Sequence, residues 1–385
     1  MLEKSGSVTK DKSKMASMSG WRAAALFMGV LAAWFCPGRF AQAQTDVIAA
    51  SVGDDDTPFI LDSTGKVWGF STPDHLDGWV QIAGLPPVRQ LVPFAALTQD
   101  GRVFTWGLTQ PASSRAQAVS YTAPLQVAGL SDVAAIFGGD SDGTDGHFLA
   151  LLRDGRVAMF GRSLAGSQGV AGDPAVEIVP AIANAVSAAV SDASETVLTS
   201  DGYAYSWGQL RLDGGTQFHA PASPVKIFVG ADKQFVYGNA DYVAALSGDG
   251  TLHHWGMCVS GAANSGMALA GVTDNVLGVR KYVKTARNEA PDVYLLYDGR
   301  VAVAYPPGRS WAGGACTAGI AATMQPIPKY IDGMPVKVMD VAYPVAVGSG
   351  TNWVLMVGTD GSLWKAGVAA DGGVAGAGAQ RVGLP

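Results

Sequence analysis

"ALTQDGRVFTWG", residues 96–107, decides the fold. A short apolar run enters Asp-Gly, and an alternating run leaves it to end in Trp-Gly. Asp-Gly between two apolar runs is a strong short-range hairpin signal, because Gly tolerates positive φ at no steric cost. "RVFTW" alternates as a half-buried strand does. The favoured two-residue turn needs positive φ at both central residues, and that turn is expected here.

The stretch recurs. "ALLRDGRVAMFG" starts at Ala150, "VLTSDGYAYSWG" at Val197 and "ALSGDGTLHHWG" at Ala245. "YLLYDGRVAVAY" from Tyr294, "VLMVGTDGSLWKAG" from Val354 and "ILDSTGKVWGF" from Ile60 are looser copies. The turn glycines are Gly65, Gly101, Gly155, Gly202, Gly250, Gly299 and Gly361. A second element precedes the hairpins: an apolar-x-Gly-Leu turn and an apolar strand, as in "VQIAGLPPVRQLVPFAAL" (80–97) and "LQVAGLSDVAAIFGG" (125–139). Each unit therefore supplies about four strands. One four-stranded sheet cannot bury both faces, but a ring of such sheets can.

The expected fold is all-β: a seven-bladed β-propeller of four-stranded antiparallel blades. The chain ends in "AQRVGLP" (379–385), which matches "VQIAGLP" (80–86), while the first unit lacks that element. The expectation is a ring closed by the C-terminal strand, which completes the first sheet.

These residues resemble the regulator of chromosome condensation repeat family. The shared pattern is the apolar-x-Gly-Leu turn, the Ala-Leu-Thr-x-Asp-Gly hairpin and the Trp-Gly strand end. "GHFLALLRDGRV" (146–157) also keeps a His before its Leu-Ala-Leu segment. The resemblance spans nearly all of residues 46–385. It implies a seven-bladed propeller that acts by binding other proteins. By compartment, the similar branch is the secreted bacterial type that inhibits β-lactamase, which implies binding through one rim.

The compartment follows from the N-terminus. Lys4, Lys10, Lys12, Lys14 and Arg22 precede the apolar run "AAALFMGVLAAWFC" (23–36), and Ala41-Gln42-Ala43 is a small-x-small cleavage pattern. Residues 1–43 are expected to be a secretory signal with a long basic n-region, and 44–385 a single propeller. The apolar run falls short of the ~20 residues of a spanning helix, so no membrane span is expected after cleavage. The predicted location is bacterial periplasm or outside the cell.

The leader holds six of the 26 Lys and Arg and two of the 32 Asp and Glu, leaving a mature net charge of −10. Such a surface repels phosphate backbones, so nucleic acid is not the expected partner. Cys258 and Cys316 remain after cleavage, and both a disulfide and two free thiols stay open.

Strand parity separates two rims. The Asp-Gly turns lie on one. The segments before each hairpin and after each Trp-Gly lie on the other, where the loops are long, acidic and aromatic. Asp54, Asp55, Asp56, Phe94, His147, Asp192, Glu195, Tyr242, Trp311 and Trp353 are the candidate partner-binding residues there. Aromatic side chains anchor interfaces, and a field of one sign steers an oppositely charged partner. The expected function is an exported, non-catalytic scaffold, with inhibition one form it takes. The expected partner is a protein or peptide with a basic patch, and the expected state is a monomer.

Two alternatives stay open. Asp140, Asp142 and Asp145 in "GDSDGTDG" are the oxygen-rich set that calcium takes on a sharply turned loop, as in an adhesive module. A propeller hydrolase or lyase would place an acid/base site at the central opening. No nucleophile elbow, zinc spacing or phosphate loop supports catalysis. Calcium aside, no cofactor is expected.

Overall fold

In the computed structural model, residues 44–385 form one compact unit. The described residues run from 46 to 384, less 53–56, 71–77, 108–119, 139–146, 162–175, 181, 192–193, 211–216, 239–241, 257–271, 275, 284–290, 306–326, 347–351 and 370–373. They are all-β, without a helix.

Seven antiparallel sheets follow one another along the chain, each built from consecutive strands. They are blades 1 to 7, spanning 47–81, 88–126, 133–178, 185–228, 233–273, 279–330 and 338–382. Blade 4 carries a fifth strand, because its third strand, Tyr203–Leu210, pairs with both Gln217–His219 and Val225–Phe228. The first strands of neighbouring blades touch one another and surround the axis.

All seven turn glycines have positive φ, between 75° and 86°. The aspartate before them does not. In blade 2 the Gly101 amide donates to Thr98 O and the Thr98 amide donates to Arg102 O. That is a three-residue loop, a type I turn followed by a left-handed glycine bulge, rather than the expected two-residue turn. The aspartate has a different task. Its carboxylate accepts the amide two residues on, as Asp154 does from Arg156, Asp249 from Thr251 and Asp298 from Arg300. Blade 1 has Thr64 at that place, and Asp62 at the head of the turn takes over, accepting the Thr64 and Lys66 amides.

The closing strand is not where the sequence reading put it. Blade 1 owns four strands, the first being Val47–Val52, and Val374–Val382 is the fourth strand of blade 7. "VQIAGLP" and "AQRVGLP" do match, but as the outer strands of blades 1 and 7. In blades 1, 2 and 7 the apolar-x-Gly-Leu element ends the blade instead of beginning the next.

Blades are joined by a repeated backbone clasp. The first amide of an inner strand donates to the turn-glycine carbonyl of the preceding blade: Val88 to Gly65, Ala185 to Gly155, Val279 to Gly250 and Val338 to Gly299. Within the blade itself, a turn amide donates to the residue before the first strand, as Gln99 does to Pro87 O. Blade 7 is clasped to blade 1 in the same way, Val47 N to Gly361 O, and within blade 1 Ser63 N donates to Asp46 O. Inner-strand side chains also cap the exposed edge of the next blade. Gln90 Oε1 accepts the Ile136 amide, Ser187 Oγ that of Val236 and Asp340 Oδ2 that of Ala50. An edge strand left bare would template unwanted pairing.

A candidate binding rim and the polar seams below it

Antiparallel order puts the loops between first and second strands, and between third and fourth strands, on the rim opposite the turns. Asp54, Asp55, Asp56, Asp192, Trp311 and the calcium candidates Asp140, Asp142 and Asp145 lie outside the described residues. So do Cys258 and Cys316, and Tyr242 is described in its backbone only.

Three of the remaining candidates are buried, which corrects their assignment to a partner surface. Phe94 is 1% exposed and packs edge-on against Phe59 at 4.9 Å between centroids. His147 and Glu195 are 3% and 2% exposed. His147 Nε2 lies 3.5 Å from Glu195 Oε1, across the seam between blades 3 and 4. Burial pushes the His147 imidazole below its ordinary value, against a hydrogen bond to the Ser191 backbone. His147 and Glu195 lie at the start of second strands and Phe94 just before one, and all three pack beneath the rim. Tyr121 is likewise a packing residue: its hydroxyl donates to Phe70 O, and its ring fills the space a Cβ at Gly69 would need.

Trp353 stays half-buried at the rim, with the Lys365 ammonium 5.0 Å from the centre of its ring. Phe218 is the described aromatic most open to solvent on this side, 53% exposed. It sits on the extra strand of blade 4, where it pairs with Gln209. The eight-residue third strand that supports it is the longest third strand of any blade.

No protein-family model and no curated protein matches the sequence. Solved structures do. Prp20p of Saccharomyces cerevisiae, described with its binding to Gsp1p and histones, aligns over 77% of this chain and 80% of its own, at 16% identity and TM-score 0.52. Yeast RCC1 (Prp20) bound to Kap60 aligns over 77% and 78%, at 15% identity and TM-score 0.53. Human WBSCR16 aligns over 89% and 82%, at 17% identity and TM-score 0.48. The fold is that of the RCC1-type seven-bladed propeller.

Lining up the seven blades of this propeller exposes a feature that reading along the chain missed. Opposite the strand-end Trp position stand Pro58, Phe94, Phe148, Val243 and Val354 in five blades, but Glu195 and Asp292 in blades 4 and 6. At the start of the outer turn stand Ile82, Val127, Val179 and Ile331, but Asp274 in blade 5. Each carboxylate replaces an apolar core residue and brings partners with it. Asp274 Oδ2 is shared by His254 Nε2 and the Tyr294 hydroxyl, both at 2.9 Å, and its Oδ1 accepts the Val276 amide. The Tyr282 hydroxyl donates to Asp292 at 2.5 Å. Tyr237 packs edge-on against Tyr282 at 5.0 Å, and burial pushes its phenol up to about 12.

This seam between blades 5 and 6 is chemically rich, yet His254, Asp274, Tyr294, Tyr282 and Asp292 are each no more than 2% exposed. It has the makeup of an internal cross-link, since buried charges persist when paired and hydrogen-bonded. Trp106, Trp207 and Trp255 are buried, as expected of strand-end packing residues. Among the described residues no group of three or more His, Cys, Asp or Glu side chains is placed to hold a metal ion. No described helix is long and apolar enough to cross a membrane.

Proposed function

We propose that this propeller is an exported protein-binding scaffold whose working face is the rim opposite the Asp-Gly turns. The observation that carries the reading is Phe218, a large aromatic presented on a paired strand at that rim and left open to solvent. Rigid aromatic anchors concentrate interface energy at small entropic cost. The yeast propellers of the same fold are described with protein partners, Gsp1p, histones and Kap60. The partner here carries a basic patch that answers the acidic loop sequences, and the chain works as a monomer. Inhibition of an enzyme is one outcome of such binding. The reading is of a binder rather than an enzyme: the seam groups His147, Glu195, His254, Asp274 and Asp292 are sealed from solvent.

The test is retention. Residues 44–385 are immobilised and exposed to native envelope extract, beside a Phe218→Ser variant. A partner held by the parent and lost by the variant supports the reading. Equal retention by both removes this rim from it.

A further inference from the structure

Blade 4 breaks the repeat at one corner on the turn side. Directly after the turn glycine the other blades carry Lys66, Arg102, Arg156, Thr251, Arg300 and Ser362, and blade 4 carries Tyr203. Directly after the outer-strand residue aligned with Ile82, blades 1, 2 and 7 carry Ala83, Ala128 and Gly383, and blade 4 carries Phe228. Tyr203 stands opposite Phe228 across the strands, and Tyr205 opposite Lys226. Opposed residues share a face, as do residues two apart on one strand, so all four stand together.

Their contacts form a cation seat. The Tyr203 and Phe228 rings meet edge-on with centroids 5.2 Å apart. The Lys226 ammonium rests 3.7 Å from the centre of the Tyr203 ring and 5.2 Å from that of Tyr205. The seat is open to solvent: Phe228 is 59% exposed, Lys226 is exposed and both tyrosines are half-buried. The local field suits a cation. In blades 2, 3 and 6 the turn aspartate is neutralised by the Arg two places on. Tyr203 takes that place in blade 4, and among the described residues no cation lies within ion-pair reach of Asp201. The Tyr205 hydroxyl, and after it the fields of Tyr205, Tyr203 and Asp201, hold the Lys226 ammonium above its ordinary value against desolvation.

We infer that this corner of blade 4 is a recognition site for a quaternary ammonium group, with Lys226 as a built-in cation that vacates the rings for it. The faces of aromatic rings attract cations through their quadrupole. Lys226 is a strongly hydrated charge on a flexible stem, and an exposed contact of its kind is worth only about two- to five-fold in an equilibrium. A trimethylammonium group sheds water more readily and covers more ring surface, so it gains more from Tyr203, Tyr205 and Phe228. The site lies on the turn side and is independent of the Phe218 rim.

The probe is choline, titrated into residues 44–385 and followed by saturation-transfer NMR on its N-methyl protons. The comparator is the uncharged analogue with tert-butyl in place of trimethylammonium. Choline is expected to bind the parent, and to bind Lys226→Met at least about three-fold more tightly because the resident cation is gone. The uncharged analogue binds both at least about three-fold more weakly than choline does. Phe228→Ser, at an exposed position on an outer strand, weakens choline binding, while Phe218→Ser leaves it unchanged. Cosedimentation with phosphatidylcholine vesicles forms the second arm: retention there assigns the ammonium to a lipid headgroup, and binding of free choline alone assigns it to a soluble amine. Either result supports the site. No binding in either arm, equal binding of the uncharged analogue, no gain in Lys226→Met, or unchanged affinity in Phe228→Ser overturns the inference.

Discussion

The Val47 amide donates to the carbonyl of Gly361 at 3.0 Å, joining the first described strand of the ring to the last turn. The bond is one instance of the clasp found between other blades, so blade 7 meets blade 1 as other neighbours meet. The clasp also explains why the turn residue is glycine. A Cβ at Gly361 would lie 2.9 Å from the Asp46 Cα, and one at Gly155 would lie 2.9 Å from the Asn184 Cα and N. Gly101 is the exception, with nothing within 4 Å.

Gly101→Ala is therefore expected to lose only the cost of a left-handed non-glycine residue, about 1–2 kcal/mol. Gly155→Ala and Gly361→Ala lose that and about 1–3 kcal/mol more from forced displacement of the next blade. Denaturant melts of the three variants check the order.

Asp274→Ala leaves His254 and Tyr294 buried with their shared acceptor gone. A loss of about 3–5 kcal/mol is expected, as for breaking one side of a buried pair. The triple variant Asp274→Val, His254→Val, Tyr294→Phe restores the apolar pattern of the other blades and recovers most of it. Chemical denaturation of single and triple variants tests the account; no recovery in the triple contradicts it.

Much of this architecture is legible in the sequence, and the gaps have physical causes. Seven glycines are readable because one residue type answers two demands, positive φ and a close neighbour. The first strand, Val47–Val52, has no Gly-Leu turn before it, so the repeat is easily phased one strand late. Loop residues such as Phe94, His147 and Glu195 look exposed by type and position, yet blade packing covers them. The polar seam is visible in one dimension only when the seven copies are stacked, where Asp274 and Asp292 break apolar columns.

Acid unfolding should proceed in two stages. Burial lowers the folded-state pKa of His147, so the unfolded chain takes up that proton first and stability falls as pH drops below about 6.5. Hydrogen bonds hold Asp154, Asp249, Asp298 and Asp360 below the usual carboxylate range, each led by a bond from the residue two places on. Their contribution is complete above the unfolded carboxylate value of about 3.9 and is lost as pH falls through the lower folded values. Melting temperatures from pH 8 to 3 should show both stages, and His147→Phe should shrink the upper one, leaving the share of His253, whose value burial also lowers.

Binding to the envelope partner should weaken steeply with salt, since exposed charges are screened beyond about 10 Å at 0.1 M. Calorimetry at low and physiological ionic strength reads the slope. An affinity unmoved by salt rules out a basic patch as the recognised feature.

The most direct measurement is the amide hydrogen-exchange footprint of that bound partner on residues 44–385. The account predicts added protection at the rim ends of blade 4, within 205–210 and 217–219. Protection confined to the turns around Gly101, Gly155, Gly250 and Gly299 would contradict it.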